Sequence, residues 1–228
     1  MARQPGSAGS LCRAACQTYG PVALSMHELA ESLGAAIDAK DRFTRAHSDE
    51  VAVIAEMLAL RLGLSEAEAT IVHVAGHLHD IGKIGLPDSV LQKPNSLSPE
   101  EWALVRRHPA MGHDILAPVG CLCALGVPVM VLHHHERFDG GGYPHGLSGQ
   151  GIPLGARIIA VADSLSAMLQ ARAYRAPMRF DDAMAEVRRC AEGQFDPRVV
   201  GALMEMADEA RAALAACREA LAAQRRTG

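Results

Sequence analysis

The sequence predicts an all-α protein, and three observations carry that reading. Apolar residues make up 49% of the chain, led by Ala and Leu with only 4% aromatics, a balance that favours packed helices over strands. Apolar side chains recur every three or four positions through most of its length. Two complete helix-start signatures are present: Ser65 with Glu68, and Ser98-Pro99-Glu100-Glu101.

Taken in order, residues 1–20 read as a disordered tail, without the apolar core of a signal peptide. The first helix is expected over 21–38, with apolar positions at Val22, Met26, Leu29, Leu33 and Ile37. A second is expected over 43–62, where Val51, Ile54, Leu58 and Leu62 form a stripe and Gly63 provides the stop. The Ser65–Glu68 capping box opens a third, which ends near His79-Asp80. Pro87 and Pro94 bracket a turn-rich stretch, and the helix begun at Ser98 carries Trp102, Val105 and His108 toward Leu116. Another helix is expected over 127–136. Residues 140–153, rich in glycine and closed by Pro153, form a long loop. Helices follow over 154–169 and 181–192. A terminal helix over 199–225 repeats Leu203, Met206, Ala210, Ala213, Cys217 and Leu221 as a core-packing face, with a homodimer seam as the alternative. Residues 21–228 therefore read as one domain, with no internal repeat.

Composition excludes several classes. A net charge of −4 argues against a duplex nucleic-acid binder, which would carry a basic face. No apolar run reaches the roughly 18 residues of a membrane helix. The six cysteines form no CxxC pair, which points to reduced thiols in a cytoplasmic protein. The tail of residues 1–20 is too short for a sensory domain, so activity is expected to be constitutive, controlled by expression or controlled by a partner.

The chemistry concentrates at His79-Asp80-Ile81-Gly82-Lys83. A histidine beside an aspartate offers one metal an imidazole nitrogen and a second metal a shared carboxylate oxygen, and Lys83 lies one helical turn from His79. A two-metal hydrolase needs six to eight nitrogen and oxygen ligands from separate elements. His47, His79, Asp80, His108, His134, His135 and Asp163 meet that demand, several of them inside apolar stretches where unpaired titratable groups would be costly. His133 could shift the register of its block by one. His73 and His77 are one helical turn apart, a metal-pair spacing, but read better as core packing or hydrogen-bond partners. His27, His113 and His145 read as surface residues.

The chain resembles the HD-GYP group of the HD phosphohydrolase superfamily across roughly 38–203. The resemblance rests on Thr44-x-x-His47-Ser48, Leu78-His79-Asp80-Ile81-Gly82-Lys83-Ile84, Pro87-Asp88-x-x-Leu91-x-Lys93-Pro94 and His108-Pro109-x-x-Gly112-x-x-Ile115-Leu116. It continues through His134-His135-Glu136-Arg137-x-Asp139-Gly140-x-Gly142-Tyr143-Pro144-x-Gly146-Leu147, Ile152-Pro153-Leu154-x-Ala156-Arg157-Ile158 and Val161-Ala162-Asp163. It implies an HD-type helical bundle with a Gly-rich GYP loop, and hydrolysis of cyclic di-GMP to pGpG, in some members on to GMP. The implied catalyst is a metal-bridging hydroxide, with Asp80 and Lys83 as catalytic residues.

Carried over residue by residue, one divalent ion takes His47, His79, Asp80 and Asp163, and the other takes Asp80, His108, His134 and His135. Iron or manganese suits this nitrogen and oxygen set. Lys83 meets a non-bridging phosphate oxygen, Tyr143 stacks on a guanine or anchors its loop, and Arg172 and Arg175 reach substrate phosphates. Phe43 stands where some members hold a third metal with Glu, so two ions are expected. Glu50 replaces the usual Arg, residues 164–170 lack the usual second Asp, Thr and Ser, and Ala173 replaces a Pro. The altered segment after Asp163 favours a second reading, a cyclic-dinucleotide receptor; a third is a module whose Tyr143 loop docks a diguanylate cyclase. Another nucleotide, such as 3′,3′-cGAMP, is the alternative substrate.

Overall fold

The computed structural model describes residues 21–40, 46–171 and 176–227. Phe43, Arg172, Ala173 and Arg175 lie outside them, as does the tail. Every named element among the described residues is helical, with one isolated parallel bridge between Ala191 and Phe195. None of these helices is long and apolar enough to cross a membrane.

Three helices open the bundle: α1 (Pro21–Lys40), α2 (His47–Arg61) and α3 (Glu66–Leu78). Ser65 accepts from the Glu68 amide while the Glu68 carboxylate accepts from the Ser65 amide, so the predicted capping box forms. A short 3-10 turn, η1 (Ile81–Gly85), follows, then α4 (Asp88–Leu91), α5 (Pro99–Val105), α6 (His108–Leu116), α7 (Gly120–Ala124) and α8 (Val127–His133). After the glycine-rich loop and a turn η2 (Gly149–Gly151) come α9 (Leu154–Leu169), α10 (Phe180–Arg189), α11 (Pro197–Glu205) and α12 (Ala207–Thr227).

The core is the seam where α2 meets α3 on one side and α9 on the other. Val51, Ile54 and Leu58 of α2, Val72 and Leu78 of α3, and Ile158, Val161 and Leu165 of α9 are buried there. Truncating one of them, such as Leu58 to Ala, would cost about 2–5 kcal/mol through lost contacts and the cavity left behind.

Three departures from the predicted elements have physical content. The helix begun at Ser98 breaks between Val105 and His108. Pro109 lacks an amide hydrogen and its ring crowds the carbonyl four residues back, that of Val105. The carbonyl so released accepts from His108 Nδ1 at 2.8 Å. In α1, Leu29 (60% exposed) and Leu33 (36%) face outward, while Ala30 and Ile37 are buried. Small residues let α1 approach its neighbours closely, a choice that a pattern of large apolar residues does not register. The terminal helix divides at Met206, leaving Leu203, Met206, Ala210 and Leu214 buried and the turns beyond mostly exposed.

Two polar clamps fix α1. Asp38 accepts from the Ser48 amide at 3.0 Å and from its hydroxyl at 2.9 Å. Lys40 Nζ donates to the carbonyls of Lys83, Ile84 and Leu86 at 3.3, 2.9 and 2.8 Å. The Lys83 carbonyl also accepts from the Leu86 amide at 3.0 Å, and Lys40 adds a cationic donor to the carbonyl end of this short turn.

Candidate metal centre

Helix ends converge on one point. The first residue of α2 supplies His47, the end of α3 His79 and then Asp80, and the start of α6 His108. The turn after α8 brings His134 and His135, and the middle of α9 brings Asp163. The seven candidate residues meet. His47 Nε2 lies 3.1 Å from Asp163 Oδ1, and His108 Nε2 lies 3.2 Å from Asp80 Oδ1. His79 Nε2 stands 3.4 Å from Asp80 Oδ2 and 4.0 Å from Asp163 Oδ1. His108 Nε2 and His134 Nε2 are 3.4 Å apart, and the His134 and His135 rings are centred 4.0 Å apart.

The sequence near each helix end aims these rings. Nδ1 of His79, His108 and His134 donates to a carbonyl three residues back, of Gly76 (2.7 Å), Val105 (2.8 Å) and Val131 (2.6 Å). With Nδ1 as the donor, the neutral form of each ring turns its Nε2 lone pair toward the cluster. His47 differs: its Nδ1 pairs with Ser166 Oγ at 2.9 Å. Gly82 lets η1 reach α6, because a Cβ there would sit 1.9 Å from the His108 carbonyl oxygen. That approach sets Asp80 against His108.

The donors fit divalent ions. His79 Nε2 is fully buried and has no hydrogen-bond partner, a costly state that a cation relieves. His47, His79 and Asp80 form one group of converging ligand atoms, His108, His134 and His135 a second, and His79, His134 and Asp163 a third that overlaps both. Imidazole with carboxylate is the donor set of manganese, iron and zinc sites.

Electrostatics favour a cation as well. Burial works against ionising Asp80, yet Lys83, whose Nζ lies 2.6 Å from Asp80 Oδ2, together with His79 and His108 holds its carboxyl well below the usual range. Burial also opposes ionisation of Asp163, and the hydrogen bond and charge of His47 reverse it, keeping that carboxyl low. For His79, burial lowers and Asp80 and Asp163 raise, with the net result pushed up to about 9. Burial and then the neighbouring imidazoles push His135 down to about 3 and His134 well down, so both are neutral ligands at ordinary pH.

The glycine-rich loop closes over one flank. Glu136 is buried and accepts from the amides of His145 (2.8 Å) and Leu147 (3.1 Å). Gly142 is required here too, since a Cβ would lie 2.2 Å from the Arg137 amide nitrogen. The Tyr143–Pro144 peptide is cis, the Tyr143 ring stands 4.9 Å from that of His135, and the Arg106 guanidinium lies 4.6 Å above the tyrosine. Tyr143 borders an open cleft of about 570 Å³ that reaches His135 and is also lined by Trp102, Arg106 and Arg137.

Sequence reasoning missed Trp102, Arg106 and Arg137 as cleft residues. The Ser98 helix signature could have drawn attention to an exposed tryptophan one turn in. His133 faces away from the cluster's ligand atoms: its Nδ1 pairs with the Val129 carbonyl and its Nε2 with His145. His27, expected at the surface, instead stacks on His73.

A profile of the HD domain matches residues 28–199. The chain is 43% identical over 184 residues to the cyclic di-GMP phosphodiesterase response regulator RpfG of Xanthomonas campestris, covering 78% of this chain and 47% of that protein. It is 37% identical to a cyclic di-GMP phosphodiesterase of Thermotoga maritima, covering 81% and 50%. A 3′3′-cGAMP-specific phosphodiesterase 2 of Vibrio cholerae is also 37% identical, with 80% and 35% covered. The chain thus spans about half the length, or less, of these relatives. Among solved structures, the fold resembles a cyclic GMP-AMP-specific phosphodiesterase of V. cholerae (TM-score 0.65, 19% identity, 84% of this chain and 50% of that one). It also resembles Bd1817, an HDGYP-type protein of Bdellovibrio bacteriovorus (TM-score 0.62, 19% identity, 87% and 69%). On the match over residues 28–199, the clustered His79-Asp80 pair and the Gly142-Tyr143-Pro144 loop, the chain belongs to the HD domain family, among its HD-GYP members.

Proposed function

We propose that this domain is a metal-dependent phosphodiesterase that hydrolyses cyclic di-GMP to linear pGpG. The observation that carries the reading is the meeting of five histidines and two aspartates at the edge of a cleft lined by aromatic and arginine side chains. Relatives at 37–43% identity named for cyclic di-GMP hydrolysis support that substrate.

Two ions, iron or manganese, would be held by His47, His79 and Asp163 on one side and by His108, His134 and His135 on the other, with Asp80 shared. Such a pair lowers the pKa of water and neutralises charge at the phosphoryl oxygens. The chain's own residues do the rest. Asp80, kept ionised by Lys83, presents both oxygens to the centre. Lys83, partly exposed beside Asp80, would meet a non-bridging phosphate oxygen. Trp102, exposed at the cleft, offers a face to a base, with stacking worth about 1–3 kcal/mol per base, while Tyr143 shapes the cleft wall beside it. Arg106, over Tyr143, and Arg137 offer guanidinium groups to the phosphates or guanine edges. The place of Tyr143 between His135 and Arg106 supports a role beside substrate over docking of a diguanylate cyclase.

The test is hydrolysis of cyclic di-GMP and 3′,3′-cGAMP at equal enzyme concentration, resolved by chromatography, with Trp102→Ala alongside. The expected result is faster conversion of cyclic di-GMP to pGpG, and a raised KM in the variant. Preferential cleavage of 3′,3′-cGAMP would overturn the substrate, and no product from either by metal-loaded protein would overturn the activity.

A further inference from the structure

A second histidine cluster lies outside the seven residues of the centre described above. His27 comes from α1, and His73 and His77 stand one turn apart on α3. One ring nitrogen from each lies within 4.8 Å of the others. His73 Nε2 and His77 Nε2 face each other at 3.1 Å. Zinc–nitrogen bonds of about 2.0–2.1 Å in a tetrahedron place neighbouring ligand nitrogens roughly 3.4 Å apart, so this pair is already near ligating separation. The His27 ring stacks on His73 with centroids 4.9 Å apart and meets His77 edge-on at 5.7 Å.

The opposite ring nitrogens face carboxylates. His73 Nδ1 lies 3.0 Å from Glu56 Oε2, and His77 Nδ1 lies 3.5 Å from Asp49 Oδ1, both carboxylates coming from α2. Both Nδ1 atoms are buried and neither is aligned in a hydrogen bond. A carboxylate beside the remote nitrogen is the usual outer partner of a metal-bound histidine. With both rings neutral and no metal between them, the pair is frustrated. Only one proton fits between two facing Nε2 atoms, and the neutral ring that donates it presents a bare Nδ1 lone pair to its own carboxylate. A cation on both Nε2 lone pairs removes that conflict, because both rings can then keep their proton at Nδ1.

We propose that His27, His73 and His77 form a separate divalent-metal site, with three imidazole nitrogens and a fourth position open to water, suited to zinc. An all-imidazole set favours borderline ions such as zinc over magnesium or calcium. The site joins α1 to α3. Because Lys40 at the end of α1 holds the η1 carbonyls beside Lys83, the ion braces the helix that supports the phosphodiesterase centre.

The experiment removes the other cluster first. Protein carrying Asp80→Ala and His134→Ala is equilibrated with Zn²⁺ or Co²⁺, desalted, and its metal counted by mass spectrometry. The expected result is one retained ion per chain, tetrahedral visible bands with cobalt, and a metal-dependent rise in Tm. Adding His27→Ala, or separately His73→Asn, abolishes all three, and His27→Ala in the otherwise unaltered chain lowers total bound metal by one ion. An Asp80→Ala, His134→Ala protein that retains no ion would overturn the site, as would retention that neither further change diminishes. Turnover plays no part in the readout, so this result stands apart from the phosphodiesterase reading.

Discussion

Ser166 donates its hydroxyl to Glu50 Oε2 at 2.6 Å, and both residues occupy positions where the chain departs from the HD-GYP pattern. Glu50 is 1% exposed, so its carboxylate needs partners, which it finds in Ser166, in Gln170 Nε2 (3.2 Å) and in Arg218 Nε (2.7 Å) from α12. Ser166 in turn pairs with His47 Nδ1. The two departures thus compensate each other, building a hydrogen-bonded line from α12 to a candidate metal ligand.

Cutting that line at Ser166 loosens His47. Ser166→Ala is expected to weaken metal binding by about 10–100-fold, the usual effect of losing a ligand's outer partner. Activity measured against metal concentration should show a raised half-saturation point with kcat largely recovered at excess metal.

Lys83 holds Asp80 ionised, and under the proposed reaction it also meets the substrate phosphate, so its loss should act on turnover more than on loading. Lys83→Met is expected to lower kcat by about 10²–10³, the scale of one preorganised electrostatic partner, while bound metal stays near the parent value. Steady-state kinetics paired with elemental analysis checks both halves.

Two glycines should respond oppositely to the same change. At Gly82 a methyl group meets the His108 backbone oxygen, which no side-chain motion relieves, so Gly82→Ala should cost at least about 1–3 kcal/mol and displace Asp80. At Gly201, inside α11, an added Cβ meets nothing within 4 Å. Gly201→Ala should stabilise by about 0.5–1 kcal/mol through helix propensity. Denaturant midpoints of the two variants against the parent decide this.

Metal loading should tighten with pH. In the metal-free chain Asp80 and Asp163 raise His79 to about 9, so a proton competes for Nε2 up to that pH. The sign for stability is opposite: a raised histidine stabilises the metal-free fold fully below its unfolded value near 6.5, and this is lost as pH climbs through about 9. Manganese affinities measured between pH 6.5 and 9 should therefore increase steadily, with proton release on binding at the lower end. A flat profile would remove His79 as a ligand.

Much of this was legible in the chain because its signals are local. Both capping boxes form at Ser65 and Ser98, and the apolar run of α9 occupies Leu154–Leu169 as read. The break before His108 was not legible, since Pro109 reads equally as a helix start or as a disruption inside one. The outward face of Leu29 and Leu33, and the meeting of His27 with His73 and His77, depend on how closely α1 seats against α2 and α3. Periodicity carries no such distance. The cleft residues Trp102, Arg106 and Arg137 come from two elements far apart in sequence, and only the packed loop brings them together.

The central claim, that Asp80 organises a two-metal phosphodiesterase centre, is tested most directly by one paired measurement. Protein purified without oxygen and loaded with iron or manganese is assayed on cyclic di-GMP beside Asp80→Ala, with bound metal counted in both. The expected result is pGpG formation by the parent, and loss of both turnover and metal at this centre in the variant. A fully loaded parent with no turnover, or a variant that cleaves as fast as the parent, would contradict it.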